Sequence, residues 1–154
     1  MWQCLRLLCL TGCIVLLSAC SEPQSPEEQI RQLISDAVEA GEARSAGTLE
    51  EFMHPNFLDQ NGNRRNQVVL IMRGLFLRHK SVYLFTKIGE IDLQSETEAT
   101  VKMYVAMAGQ SISDISALAG LRAQLYEFEL QLLKDGDWRI MQARWNPANL
   151  ADVE

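Results

Sequence analysis

The hydrophobic period of this chain changes once, near Lys80, and that single change restricts the folds open to it. Before it, apolar residues recur at intervals of three and four; after it, they alternate. Ile30, Leu33, Ile34, Ala37 and Val38 form one stripe while Glu28, Gln32, Asp36 and Glu39 lie elsewhere, so the first element is a helix with one packed and one solvated side. Ser25-Pro26-Glu27-Glu28 marks its start with an N-cap serine, a proline at the first helical position and a glutamate three residues after the cap. The stretch from Gly41 to Gly47 ends it. Thr48-Leu49-Glu50-Glu51 repeats the capping box and predicts a short second helix through Phe52 and Met53. His54-Pro55 closes that helix, because proline disfavours helical dihedrals at the residue before it. Arg64 to Lys80 predicts a third helix, with Val68, Ile71, Met72, Leu75 and Phe76 on its packed face and Arg65, Arg73, His79 and Lys80 outside it.

Beyond Lys80, residues 81–93, 97–107, 121–134 and 137–146 are rich in Val, Ile, Tyr, Phe and Trp and predict four strands in an antiparallel meander. Ser95-Glu96-Thr97 and Asp135-Gly136 are short enough for hairpin turns. The connection from Ala108 to Gly120 is longer and rich in small residues, a length that often accompanies function. The expected class is therefore α+β, three N-terminal helices packed on a curved four-stranded antiparallel sheet. Asp59-Gln60-Asn61-Gly62-Asn63 is a turn cluster, not a calcium loop. Its glycine falls fourth rather than sixth, and Leu70 stands where a bidentate glutamate is required.

The start of the chain has a different character. Cys4, Cys9, Cys13 and Cys20 are the four cysteines of the chain, and an apolar run from Leu7 to Leu17 follows Arg6. The run is shorter than the roughly 20 residues of a membrane span and suits a signal-peptide core. Leu17-Ser18-Ala19-Cys20 resembles the lipobox of bacterial lipoproteins, which implies cleavage before Cys20 and its acylation. The expected organisation is a signal peptide over 1–19, a lipidated cysteine and tether over 20–25, a folded domain over 26–147 and a tail over 148–154. Each buried methylene contributes about 0.8 kcal/mol to membrane binding, so two or three acyl chains at Cys20 would hold the protein permanently. The tether, Ser21 to Ser25, reaches only about 17 Å when extended. Ser21, where an aspartate retains lipoproteins in the inner membrane of enteric bacteria, implies by the same resemblance the outer membrane facing the periplasm. Once the leader is cut, Cys20 is the one cysteine left, so no internal disulfide is expected.

With 14 basic against 20 acidic residues and a net charge of −6, the chain is a poor candidate for nucleic-acid binding by phosphate neutralisation. It contains no HExxH, CxxC, GxGxxG, P-loop or GxSxG pattern, so no cofactor and no metal are expected. The order of elements, the His54-Pro55-Asn56-Phe57 segment and the closing Lys134-Asp135-Gly136-Asp137-Trp138-Arg139-Ile140 hairpin resemble the nuclear transport factor 2-like superfamily, also called SnoaL-like or ketosteroid-isomerase-like, over about residues 26–147. The resemblance implies a cone with a pocket at one end. It leaves function open, because that fold hosts isomerases, dehydratases, cyclases and non-catalytic binding domains.

Alternation nominates the pocket residues. Gln124, Tyr126, Phe128, Leu130 and Leu132 share the face expected to look inward, opposed by Glu127, Glu129 and Gln131. In the last strand Trp138, Ile140, Gln142 and Arg144 alternate with Arg139, Met141, Ala143 and Trp145, and hydrophobicity leaves the register open past Ile140. If the Trp138 side is inward, Gln142 and Arg144 enter the pocket beside Tyr126. The ligand-binding candidates are then Tyr126, Gln142 and Arg144, with Phe128 and Trp138. The ligand class is a small apolar or acidic molecule, since an arginine in that setting needs an anionic partner; an exposed Arg144 would instead reach water at the strand end. Asp59 and Tyr83 are placed near the pocket mouth, while His54 and His79 are expected to be structural. Tyr104 is expected on the outer sheet face. Val101, Met103 and Val105, joined by Leu125 and Trp145, are expected to form an apolar patch there that supports a homodimer. The favoured function is a non-enzymatic binding or partner-interaction module of the bacterial envelope, and a cofactor-independent lyase or isomerase is the alternative.

Overall fold

Ser25 caps the first helix as its sequence requires. Its hydroxyl accepts from the Glu28 amide at 3.2 Å, and the Glu28 carboxylate accepts from the Ser25 amide at 2.8 Å. The computed structural model describes residues 24–111 and 124–153. The expected leader, Cys20, Ser21 to Pro23 and the greater part of the connection between residues 108 and 120 lie outside the described residues. Helix α1 runs Pro26–Glu42 and α2 runs Ala46–Glu51. The cap of α2 is Ser45, not Thr48, whose amide donates to the Ser45 hydroxyl at 3.4 Å. Arg44 makes the reversal between the two helices in the left-handed region, at φ 56°.

The segment after α2 departs from the expectation. Met53–Asp59 is a strand, β1, that lies parallel to the last strand of the sheet. Proline kept it from looking like a strand, but an edge strand tolerates proline where no ladder partner needs its N–H, and Pro55 is exposed while Phe57 and Asp59 turn inward. Helix α3, Arg65–Arg78, follows the Asp59–Asn63 turn, with Gly62 at φ 80°. Strands β2 (Tyr83–Leu93), β3 (Glu98–Ala108), β4 (Gln124–Asp135) and β5 (Asp137–Pro147) form the expected antiparallel meander. The sheet therefore has five strands, in the order β1-β5-β4-β3-β2, and is mixed rather than purely antiparallel.

Two bulges set which side chains face the helices. In β2 the pairing slips between Ile88 and Glu90, leaving Gly89 extra. A Cβ there would lie 3.5 Å from the Lys102 carbonyl. In β5 the partner of Leu132 is Ile140 but the partner of Gln131 is Gln142, so Met141 is the extra residue. An extra residue inverts the alternation of everything after it. Trp138 and Ile140 point to the concave side, and beyond Met141 it is Ala143 and Trp145 that do so.

Ile30, Leu33 and Ile34 of α1 pack against Ala99, Val101 and Met103 of β3, Leu130 and Leu132 of β4, and Trp138. Fully burying each large aliphatic or aromatic side chain contributes about 1.5–3 kcal/mol. Val101 and Met103 are buried in this core, and Val105 and Trp145 are packed against it. They cannot form the outer apolar patch proposed for a homodimer; hydrophobicity alone did not separate the two sheet faces. The outer face carries charge instead, with Lys102 and Glu90 at 3.3 Å and Arg144 and Glu129 at 3.9 Å. The tail returns to that face. Lys87 donates to the Val153 carbonyl, Val153 is buried, and the Ala148 amide donates to the Leu125 carbonyl.

Candidate functional site

The stripe of α1 shrinks along its length. Ile30 is enclosed at one end of the space under the sheet, Leu33 and Ile34 border the cavity from that side, and Ala37, Val38 and Gly41 line it toward the other end. Small side chains leave that end unfilled, and a cavity of about 350 Å³ remains there. Helix α3 closes one wall with Val68, Met72 and Phe76. The sheet supplies the other through Met103, Val105, Phe128, Leu130, Ile140 and Trp145. Phe128 and Trp145, opposite each other across β4 and β5, stack with centroids 5.8 Å apart. The volume lies at the lower end of the roughly 300–1,000 Å³ usual for small-molecule sites.

Among the described residues, Asp59 and Thr86 are the carboxylate and hydroxyl side chains on this wall. Asp59 is buried, but its carboxylate is committed to the turn that precedes α3. One oxygen accepts from the Asn61 and Asn63 amides, each at 2.8 Å, and the other accepts from the Asn63 side-chain amide at 2.8 Å. A carboxylate so engaged serves to hold its loop. Among the described residues no group of His, Cys, Asp and Glu is arranged to hold a metal ion.

The sequence candidates divide. Phe128 lines the cavity. Tyr126 shares its face two residues nearer the strand start, where its hydroxyl donates to the Gln124 side-chain carbonyl at 3.3 Å. Trp138 lies in the core outside the cavity, 4% exposed, bordering a separate open pocket of about 690 Å³ beside Gln29 and Lys134, with its indole nitrogen buried and unpartnered among the described residues. The Lys134 ammonium lies 5.8 Å from its ring centroid and donates to Gln29 at 2.9 Å. Gln142 and Arg144 do not reach the cavity. The Met141 bulge turns both to the convex face, where Gln142 pairs with Gln131 and Arg144 pairs with Glu129. Tyr83, at the exposed start of β2, stands outside the cavity, and His79 is exposed. His54 is buried in β1, and its Nδ1 accepts from the Asn56 amide at 3.1 Å.

Sequence reasoning missed Trp145, Ala143 and Met107 as wall residues. Their alternation was visible in the sequence, but nothing in the residues around Met141 marks an insertion in the ladder. For α3 the signal was misjudged by one position. Val69 is buried, whereas Ile71 and Leu75, expected on the packed face, are exposed. Val68, Val69, Met72 and Phe76 make a narrower packed stripe than the apolar content suggested.

No protein-family model and no curated protein sequence matches the chain. Solved structures do. A Novosphingobium aromaticivorans protein provisionally named scytalone dehydratase superposes with a TM-score of 0.66 at 16% identity, covering 80% of this chain and 84% of its own. A nuclear transport factor 2-like protein of unknown function from Shewanella oneidensis gives 0.63 at 18%, covering 79% and 98%. A ketosteroid isomerase-like protein from Erwinia carotovora atroseptica gives 0.59 at 10%, covering 79% and 95%. The fold is nuclear transport factor 2-like. At these identities the likeness extends to architecture and not to chemistry.

Proposed function

We propose that this chain is a non-enzymatic binding module that takes a small apolar molecule into the cone between α1, α3 and the sheet. The observation that carries the proposal is the wall itself. About 350 Å³ is lined by aliphatic, aromatic and methionine side chains, and the one carboxylate among the described lining residues is held by three hydrogen bonds from its own turn. Excluding water from apolar surface is the chief driving force such a site offers, at about 25 cal/mol per Å². Dehydratase and isomerase, the activities in the names of two structural neighbours, need an acid or base free to face the ligand. Among the described residues Asp59 is engaged by its turn, Tyr126 stands beyond the wall and His54 does not line the cavity, so the binding reading is the better supported.

The second part of the proposal is location. The lipobox-like Leu17-Ser18-Ala19-Cys20 supports an acylated Cys20 and a bacterial envelope setting, with the outer membrane as the favoured site because residue 21 is Ser. Metabolic labelling with a fatty acid tests it: Cys20→Ser should lose the label, and equal label in the variant ends the lipoprotein reading. The cavity is tested separately with N-phenyl-1-naphthylamine, an apolar fluorophore. Val38→Phe fills the space from α1 and should abolish the fluorescence gain while the melting temperature holds or rises. An unchanged gain in that variant places the binding elsewhere and refutes the cavity as the site.

A further inference from the structure

Helix α3 is apolar on two sides, and among the described residues only one of them has a partner. Val68, Val69, Met72 and Phe76 face the sheet, while Leu70, Ile71, Leu75 and Leu77 are 64%, 49%, 37% and 89% exposed. Leu70, Gly74 and Leu77 follow one another along the outer side, and a Cβ at Gly74 would meet nothing nearer than the Arg78 guanidinium at 3.9 Å. A helix hydrophobic around most of its circumference is ordinarily enclosed by protein or by lipid.

Charge identifies the occupant. Residues 64–80 contain Arg64, Arg65, Arg73, Arg78 and Lys80 and not one Asp or Glu, in a chain whose net charge is −6. Arg65 pairs with Glu50 at 3.7 Å. Arg64, Arg73, Arg78 and Lys80 are exposed and make no ion pair among the described residues. A leucine stripe bordered by unneutralised arginines on an otherwise acidic protein fits the boundary of an anionic bilayer, where the leucines enter the acyl region and the guanidinium groups meet phosphates.

We propose that the outer face of α3 docks onto anionic lipid. The docking does not depend on acylation of Cys20, and its consequence is spatial. The inner side of the same helix is the cavity wall, so docking holds the cavity about one helix diameter, roughly 10 Å, from the lipid.

Residues 24–154 include every core residue named above, and 98% of the Shewanella protein aligns within 79% of this chain, so the architecture stands as a protein of its own. This segment, lacking Cys20, is sedimented with sucrose-loaded vesicles. The expected result is binding to phosphatidylglycerol–phosphatidylethanolamine vesicles, negligible binding to phosphatidylcholine, and weakening as salt rises. Each basic residue near such a surface contributes about 1 kcal/mol, or about fivefold, so Arg73→Glu with Arg78→Glu should weaken binding more than tenfold. Leu70→Gln with Leu77→Gln should do the same without lowering the melting temperature. Leu77→Gln alone changes a side chain that is 89% exposed and keeps the test readable if the double variant unfolds. In the full acylated chain, Leu77→Cys carrying an environment-sensitive dye should be quenched by spin-labelled lipid, and a dye at Leu93→Cys on β2 should not. Absence of binding to anionic vesicles, binding indifferent to both variant pairs, or a dimer in light scattering that Leu70→Gln with Leu77→Gln dissolves would each overturn the proposal, the last by showing a second copy of the chain as the occupant.

Discussion

The two ends of the cone are built from the same three elements and end in opposite states. At one end Ile30, Leu132 and Trp138 are buried in the core; at the other Ala37, Val38 and Gly41 on α1 face Phe128 and Trp145 across an apolar cavity. The boundary lies at Met141. On one side of it β5 sends Trp138 and Ile140 inward to close the core, and on the other it sends Ala143 and Trp145 inward to wall the cavity. Packed core and cavity are thus divided along one strand: large side chains fill the core around Ile30, and reduced side chains on the facing helix produce the cavity.

The most damaging way to break this division is to delete Met141. Without the extra residue the rest of β5 must either invert or lose its ladder, and inversion would drive Gln142 and Arg144 beneath the sheet while expelling Trp145. A typical domain is stable by only about 5–15 kcal/mol, so the deletion is expected to abolish the cooperative melting transition seen by calorimetry. A deletion variant that melts normally would mean that the bulge does not set the orientation of Trp145.

Replacing each tryptophan sharpens the contrast. Trp138→Ala removes a side chain from a filled region and should cost about 3–5 kcal/mol, the range for large aromatic truncations in a core. Trp145→Ala enlarges a space already present and should cost distinctly less while altering N-phenyl-1-naphthylamine binding. Urea titrations of the two variants decide it, and equal losses would mean that the open end is packed as tightly as the closed one.

Arg144→Ala acts on the convex face and should change little. Its partner Glu129 is 3.9 Å away and both side chains are exposed, so the loss should stay below about 1 kcal/mol with probe binding unaltered. Loss of binding in this variant would return Arg144 to the site.

The smallest effect concerns the start of α1. Hydrogen bonds from the Ser25 amide and hydroxyl hold the Glu28 carboxyl below its ordinary value. A depressed carboxylate adds stability above its unfolded pKa and loses it as the pH falls through the folded one. The Ser25 amide should therefore exchange faster, relative to its intrinsic rate, as the solution is acidified through that range. Glu28→Gln should remove the dependence, leaving the cavity untouched; a dependence that survives the substitution would assign it to another group.

The sequence by itself determined the elements whose signals are local. Ser25 to Glu28 caps a helix with groups three residues apart, Asp135-Gly136 turns a hairpin with Gly136 at φ 76°, and the change of period at Lys80 separates helices from strands. These depend on neighbours a few residues away, so they are written in the chain, with the change of period marking the passage from α3 to the four-stranded meander and not the earlier strand β1. The tertiary structure alone decided three further matters. Whether Met53–Asp59 is a strand depends on β5 being there to pair with it, because an exposed proline edge has no pairing of its own. Whether Trp145 or Arg144 faces the cavity depends on the extra residue at Met141, which is visible only against the ladder of β4. Which apolar side of α3 is covered depends on where the sheet ends. The helix carries more apolar surface than the sheet can bury, and periodicity reports that surface without saying which part meets protein and which meets something else.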